Sequence, residues 1–299
     1  MPFFVWCLLS LIWGSTWLFI KLGIADLPPF GFAGVRFLIA AVALSIVLHV
    51  TKRSLPRSLA DWKLIIATGL VVITLQYGLI FWAEVHIPSG LTAILYTVMP
   101  LFGMAYAHVL VPGERMTVTK TTGVVLGILG VGLVFSDQLA VSGRDGLLAC
   151  AGVLFAAITN AFAIVLIKVR GRSIDSLALT VGQMSIGCVP LLALGLVREG
   201  SPLDYHWTPM AWVSTFYLAL VGSALAFALL YWLIKRMDVT KTQLIPLSST
   251  LVAVVLGRLV LNEALSPVAL LGATAILGGL LLTRWGFVAR ALKEPRRMT

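Results

Sequence analysis

A chain of 299 residues, 60% of them hydrophobic and 11% charged, lacks the polar surface of a soluble globule, in which roughly a quarter of residues are charged. Its mean hydropathy is +1.02, and its apolar runs reach the ~20 residues that cross a bilayer. The formal net charge of +10 does not signal nucleic acid, because the basic residues sit in short loops between apolar runs and not on one soluble face.

The first predicted span covers residues 3–24; MPFFVWCLLSLIW carries no basic residue ahead of its apolar run, so a retained first helix is expected here in place of a cleaved leader. Spans follow at 29–50, 62–84, 88–111 and 118–136, and then at 146–167, 176–197, 209–234, 240–261 and 267–288. Pro29, Pro88, Pro209 and Pro267 fit a first helical turn, where the missing N–H costs no hydrogen bond. With the N-terminus in the cytoplasm, the inner loops hold Lys52, Arg53, Arg57 and Lys63, then Arg115 and Lys120, Lys168 to Arg172, and Lys235 to Lys241, and the basic tail follows. Only Lys21, Arg144 and Arg198 remain outside, so both termini are expected in the cytoplasm. Cys7, Cys150 and Cys188 lie within apolar runs with no CxxC spacing and are small buried hydrophobes.

The chain repeats at an offset of 149 residues: Leu110 falls on Leu259, Glu114 on Glu263, Gly123 on Gly272 and Gly130 on Gly279. Two units are expected, residues 1–140 and 141–299, each with five helices. Five is odd, so the second unit enters from the opposite face and the two are inverted, an architecture of alternating access around a midplane site.

WGSTWLFIK (Trp13 to Lys21), Arg36 in the second span and the turns centred on Glu114 and Glu263 resemble the EamA family of drug/metabolite transporters, over essentially the whole chain. Within it, the chain looks most like bacterial exporters of aromatic and other neutral amino acids. The resemblance implies an all-α membrane protein of ten transmembrane helices, two inverted five-helix repeats around a central cavity, in the bacterial inner membrane. It departs from the family where a proline often precedes the second turn glutamate by 14 residues: Ser249 stands there, and Pro246 lies one turn earlier.

Polar and aromatic residues inside spans mark the candidate path, because the bilayer penalises polar groups that face lipid. The substrate-binding set is Trp17, Gln76, Tyr77, Tyr96, Thr97, Asn160, Tyr231 and Ser248, with rings to stack on a flat solute and polar groups for its ammonium and carboxylate. Pro100 and Pro246 are the expected hinges. Arg36 needs a partner inside its span; Asp26 or Glu84 can supply it, with an Arg36–Glu84 structural ion pair the preferred arrangement. Glu114 and Glu263 are expected to cap or pack in their turns.

All acidic residues lie in loops or at helix ends, and the four histidines lie near the ends too. A proton-coupled pump usually places such a group along its path, so facilitated diffusion is expected. No phosphate loop of the form GxxxxGK[ST] is present to bind ATP. The missing mid-span acids and histidines also weigh against the competing class, an intramembrane lipid-modifying enzyme. They weigh likewise against an exporter of organic cations, which an aromatic cavity could otherwise suit. The expected partners are a small-molecule substrate (amino acids or related metabolites) and the lipid bilayer, the chain acting as a monomer with no nucleic acid, metal or other cofactor.

Overall fold

The computed structural model describes residues 2–112, 116–141, 143–234, 236 and 245–293, with side chains placed for all of these except 138–141, 228, 231, 234 and 284–293. The helices are α1 (Pro2–Gly23), α2 (Pro29–Val50), α3 (Leu59–His86), α4 (Ser89–Tyr96 and Met99–Leu110), α5 (Val118–Val141), α6 (Gly143–Arg170) and α7 (Ser176–Glu199). They continue with α8 (Pro209–Phe216, Tyr217–Leu225 and Ala226–Ile234), α9 (Ile245–Val260) and α10 (Pro267–Lys293). No strand occurs among the described residues. Seven helices, α1 to α7, are long and apolar enough to cross a membrane, and apolar stretches of α8, α9 and α10 are shorter within the described residues.

The prolines act as local physics requires. Pro29 and Pro209 open α2 and α8, and Pro267 opens α10. Pro88 instead sits one position earlier, as the extended N-cap of α4. Glu114 lies outside the described residues, and Pro246 is the second residue of α9.

Two helices are not regular. Leu70–Leu75 in α3 and Tyr217–Leu225 in α8 wind as π-helix, and these lie at corresponding places of the sequence repeat. The wider turn offsets backbone partners; Ser223 Oγ donates five residues back to the Leu218 carbonyl at 3.0 Å. Opposite the α3 irregularity, Pro190 interrupts the hydrogen bonding of α7. Thr74 Oγ1 donates to the Gly187 carbonyl, one turn before that proline, at 2.7 Å and ties the two helices together.

Glycines set the closest helix crossings. A Cβ at Gly272 would lie 2.7 Å from the Gly130 carbonyl oxygen, and one at Gly279 would lie 2.5 Å from that of Gly123. Since 123 meets 279 while 130 meets 272, α5 and α10 run antiparallel. Gly195 meets Gly31 and Leu192 meets Gly34 in the same sense, which makes α2 and α7 antiparallel as well. Small residues at such crossings let backbones approach where lipid offers no hydrophobic drive.

Four connections gather at one end of the bundle. There Glu199 accepts from the Phe30 and Gly31 N–H groups at 3.1 and 2.7 Å, capping α2 from the end of α7. Glu263 accepts from the Ser89 and Gly90 N–H groups at 2.8 and 3.2 Å and from Ser89 Oγ, capping α4. Thr208 caps α8 and donates to Asp26 at 2.6 Å; Ser266 caps α10 and donates to Asp137. Each arrangement places a carboxylate at the positive end of a helix.

Candidate functional site

Five of the sequence-selected residues come together where α1, α3, α4 and α6 meet. The Trp17 and Tyr96 rings lie 5.8 Å apart, tilted. Asn160 on α6 donates through Nδ2 to the Tyr96 hydroxyl and lies 3.2 Å from Met99 Sδ. Gln76 lies beside the same hydroxyl. Tyr77, the next residue of α3, meets Phe37 at 4.6 Å between ring centroids. Two acceptors here are buried with no donor: Gln76 Oε1 and Asn160 Oδ1. Leaving a buried amide oxygen unbonded costs about 1–3 kcal/mol, and here two such oxygens fall within one cluster.

The break in α4 lies beside this cluster. Thr97 and Val98 interrupt the helix between Tyr96 and Met99, and Pro100 is the second residue of the resumed helix. The Leu101 N–H reaches back only three residues, to Val98 O at 2.9 Å. Thr97 bonds the Thr250 hydroxyl of α9. Ser248 lies apart from the aromatic cluster: its hydroxyl donates to Ser10 Oγ on α1 at 2.7 Å. The side chain of Tyr231 lies outside the described residues.

Sequence reasoning missed Tyr217, whose hydroxyl is 2.6 Å from Ser15 Oγ and whose ring stacks on Phe19 with centroids 4.0 Å apart. Nothing local marks it among the other aromatic residues of an apolar span.

The expected direct ion pair is not formed. Arg36 is 2% exposed, with its guanidinium over the rings of Phe37, Tyr77 and Phe81 at 4.7, 5.0 and 5.7 Å. Its Nε and Nη1 have no acceptor, and Glu84, 0% exposed, has no donor on either carboxylate oxygen. The reason is local. Aromatic faces hold the guanidinium back along α3, while Glu84 sits in the last turns of that helix, where Lys21 Nζ bonds the main-chain carbonyls of Glu84 and Ile87 instead. Asp26, the other expected partner, is engaged by Thr208.

A groove of about 510 Å³ between α2 and α7 is unrelated to this cluster; it is lined by Leu38, Val42, Ile46, Ser185, Val189 and Leu192 among others. Leu38, Val42, Ile46 and Val189 are exposed on the outside of the bundle. Among the described residues no group of three or more His, Cys, Asp or Glu is placed to hold a metal.

Comparison with known proteins bears on what such a bundle does. Residues 2–136 and 147–285 each match the EamA-like transporter family. The chain is 28% identical to the uncharacterized transporter YoaV of Bacillus subtilis, covering 94% of this chain and 96% of that one. It is 29% identical to the uncharacterized inner membrane transporter YedA of Escherichia coli K12, over 96% and 92% of the two chains. A probable amino-acid metabolite efflux pump of Salmonella typhimurium is 27% identical over 96% of each. One crystal structure, 19% identical, superposes with a TM-score of 0.66 over 98% of this chain and 99% of that chain, a likeness of fold.

Proposed function

The chain belongs to the EamA-like transporter family and is a membrane transporter, and from that premise we propose that it exports aromatic and other neutral amino acids by facilitated alternating access. The observation that carries the reading is the pair of buried, donorless amide oxygens of Gln76 and Asn160 beside the Trp17 and Tyr96 rings. An ammonium supplies donors to both, while an aromatic or apolar side chain lies against the rings. The Salmonella relative's description as a probable amino-acid metabolite efflux pump agrees.

Alternating access needs two exchangeable halves. Residues 1–140 and 141–299 are those halves, ten helices as two inverted repeats, with Pro100 and Pro246 as hinges and both termini cytoplasmic. The glycine crossings support this: the repeat offset carries the pair Gly123–Gly279 onto Gly272–Gly130. A two-fold that exchanges antiparallel helices runs perpendicular to them, which in a bilayer inverts one half against the other. Facilitated diffusion fits a cluster whose nearest buried carboxylate, Glu84, sits towards the end of α3 and not among the Tyr96 contacts.

The test is uptake of labelled tryptophan, phenylalanine, threonine and methionine into liposomes holding the purified protein, with and without a pH gradient. Saturable flux without the gradient is expected. Flux of none of the four, or flux that needs the gradient and vanishes with an ionophore, overturns the reading.

A further inference from the structure

Arg36 is a buried cation two of whose three nitrogens, Nε and Nη1, lack an acceptor. It lies seven residues after Pro29, about 10 Å along α2 at 1.5 Å per residue, and its Nε and Nη1 meet no acceptor. Ring faces at 4.7 to 5.7 Å recover part of the cost of burying it. The guanidinium donates to the Tyr77 side chain, while Nε and Nη1 stay without an acceptor. Gly222 in the π-helical stretch of α8 packs close by: a Cβ there would stand 2.9 Å from Thr16 Cγ2 and in ordinary contact, 3.9 Å, with Arg36 Nη2.

Glu84 completes the arrangement without closing it. Tyr77, Phe81 and Glu84 follow one another at helical spacing along one face of α3. The carboxylate therefore lies beyond the rings that hold the guanidinium, and it acts on Arg36 through space with no contact. Lys21 and Glu263 are the other charged groups that act on Glu84. Glu84 therefore accepts from none of the guanidinium's donors, and Nε and Nη1 keep no acceptor. A guanidinium so placed is suited to a planar carboxylate.

We propose that Arg36 anchors the carboxylate of the transported solute, so that the carrier selects carboxylate-bearing zwitterions over amines, amides and organic cations. The inference rests on the amino-acid reading above and sharpens it. Tyr77 joins the two regions: its ring faces Arg36, and the preceding residue, Gln76, reaches the Tyr96 hydroxyl and offers its free oxygen to the ammonium. One solute can therefore meet the orphaned acceptors with its ammonium and the orphaned donors with its carboxylate. A solute with a positive charge alone meets an uncompensated cation.

The experiment is calorimetric binding of phenylalanine, phenylalanine amide and 3-phenylpropionate to the purified protein in detergent, for wild type, Arg36→Gln and Arg36→Lys. Wild type is expected to hold phenylalanine at least about tenfold more tightly than the amide, the loss of one charge-assisted hydrogen bond. Arg36→Gln brings phenylalanine down to the amide's affinity, and Arg36→Lys recovers part of the difference. Equal affinity of wild type for acid and amide overturns the proposal, and that comparison needs no variant to fold. Binding of 3-phenylpropionate but not phenylalanine, dependent on Arg36, keeps the carboxylate anchor and refutes the amino-acid reading. Flux of amino acids and their amides at equal rates does the reverse.

Discussion

Buried polar side chains divide into those engaged between helices and those that keep a buried atom without a partner. Gln183 Nε2 donates to Thr68 Oγ1 at 2.8 Å, which ties α7 to α3. Asn160 also makes a bond, to Tyr96, but keeps an oxygen without a donor. Replacing Gln183 by leucine removes its bond to Thr68, and replacing Asn160 removes its bonds to Tyr96 and the weak acceptor Met99 Sδ. Each variant is therefore expected to lose on the order of 1 kcal/mol of stability, read as a similar fall in melting temperature. Transport separates them: Asn160→Leu should cut phenylalanine uptake at least about tenfold, and Gln183→Leu should leave it near wild type once corrected for folded protein. Equal uptake in the two variants would remove Asn160 from the site. Both residues are polar amides in apolar spans, and their cost in the bilayer makes both conspicuous in the sequence. What separates them is the oxygen that Asn160 keeps without a donor, which depends on neighbours from other helices that composition cannot supply. Arg36 illustrates the same limit: its need for company is legible, but the aromatic faces that answer it in place of Glu84 are set by how α2 lies across α3.

Helix starts were legible because proline and capping chemistry act within a few residues. The π-helical stretches were not, since in a span apolar on every side the hydrophobic pattern carries no phase to betray an extra residue per turn. Glycine shows the middle case. The sequence repeat picks out Gly123, Gly130, Gly272 and Gly279, and the structure supplies the reason: backbone meets backbone between α5 and α10. Alanine at Gly272 would put a methyl 2.7 Å from the Gly130 carbonyl oxygen and 2.8 Å from Val134 Cγ2. The helices must part, at a cost of about 1–3 kcal/mol. Alanine at Gly132, on α5 with nothing within 4 Å, meets no such obstacle and should gain up to about 1 kcal/mol from helix propensity. Thermal unfolding in detergent measures both; a Gly272→Ala variant as stable as Gly132→Ala would show that the crossing does not depend on close approach.

At the scale of the whole molecule, the four carboxylate caps at one end share a property that no single cap reveals: each joins one half of the chain to the other. Glu199 and Glu263, from the second half, hold the starts of α2 and α4. Asp26 and Asp137, from the first half, brace the caps of α8 and α10. If the halves rock about a central site, this end opens only by withdrawing carboxylates from helix N-termini, and each cap is worth about 1 kcal/mol. Removing one favours the opened state by about fivefold, and Glu199→Ala with Glu263→Ala by more. The opening can be read with a cysteine at Thr97, 4% exposed beside the aromatic cluster, in a protein whose Cys7, Cys150 and Cys188 are replaced by alanine. Modification of the Thr97→Cys thiol by a polar maleimide, in detergent and well below the melting temperature, should accelerate about fivefold with Glu263→Ala and further in the double variant. An unchanged rate with the cap demonstrably lost would mean that these contacts fasten loops to helices without restraining the movement of one half against the other.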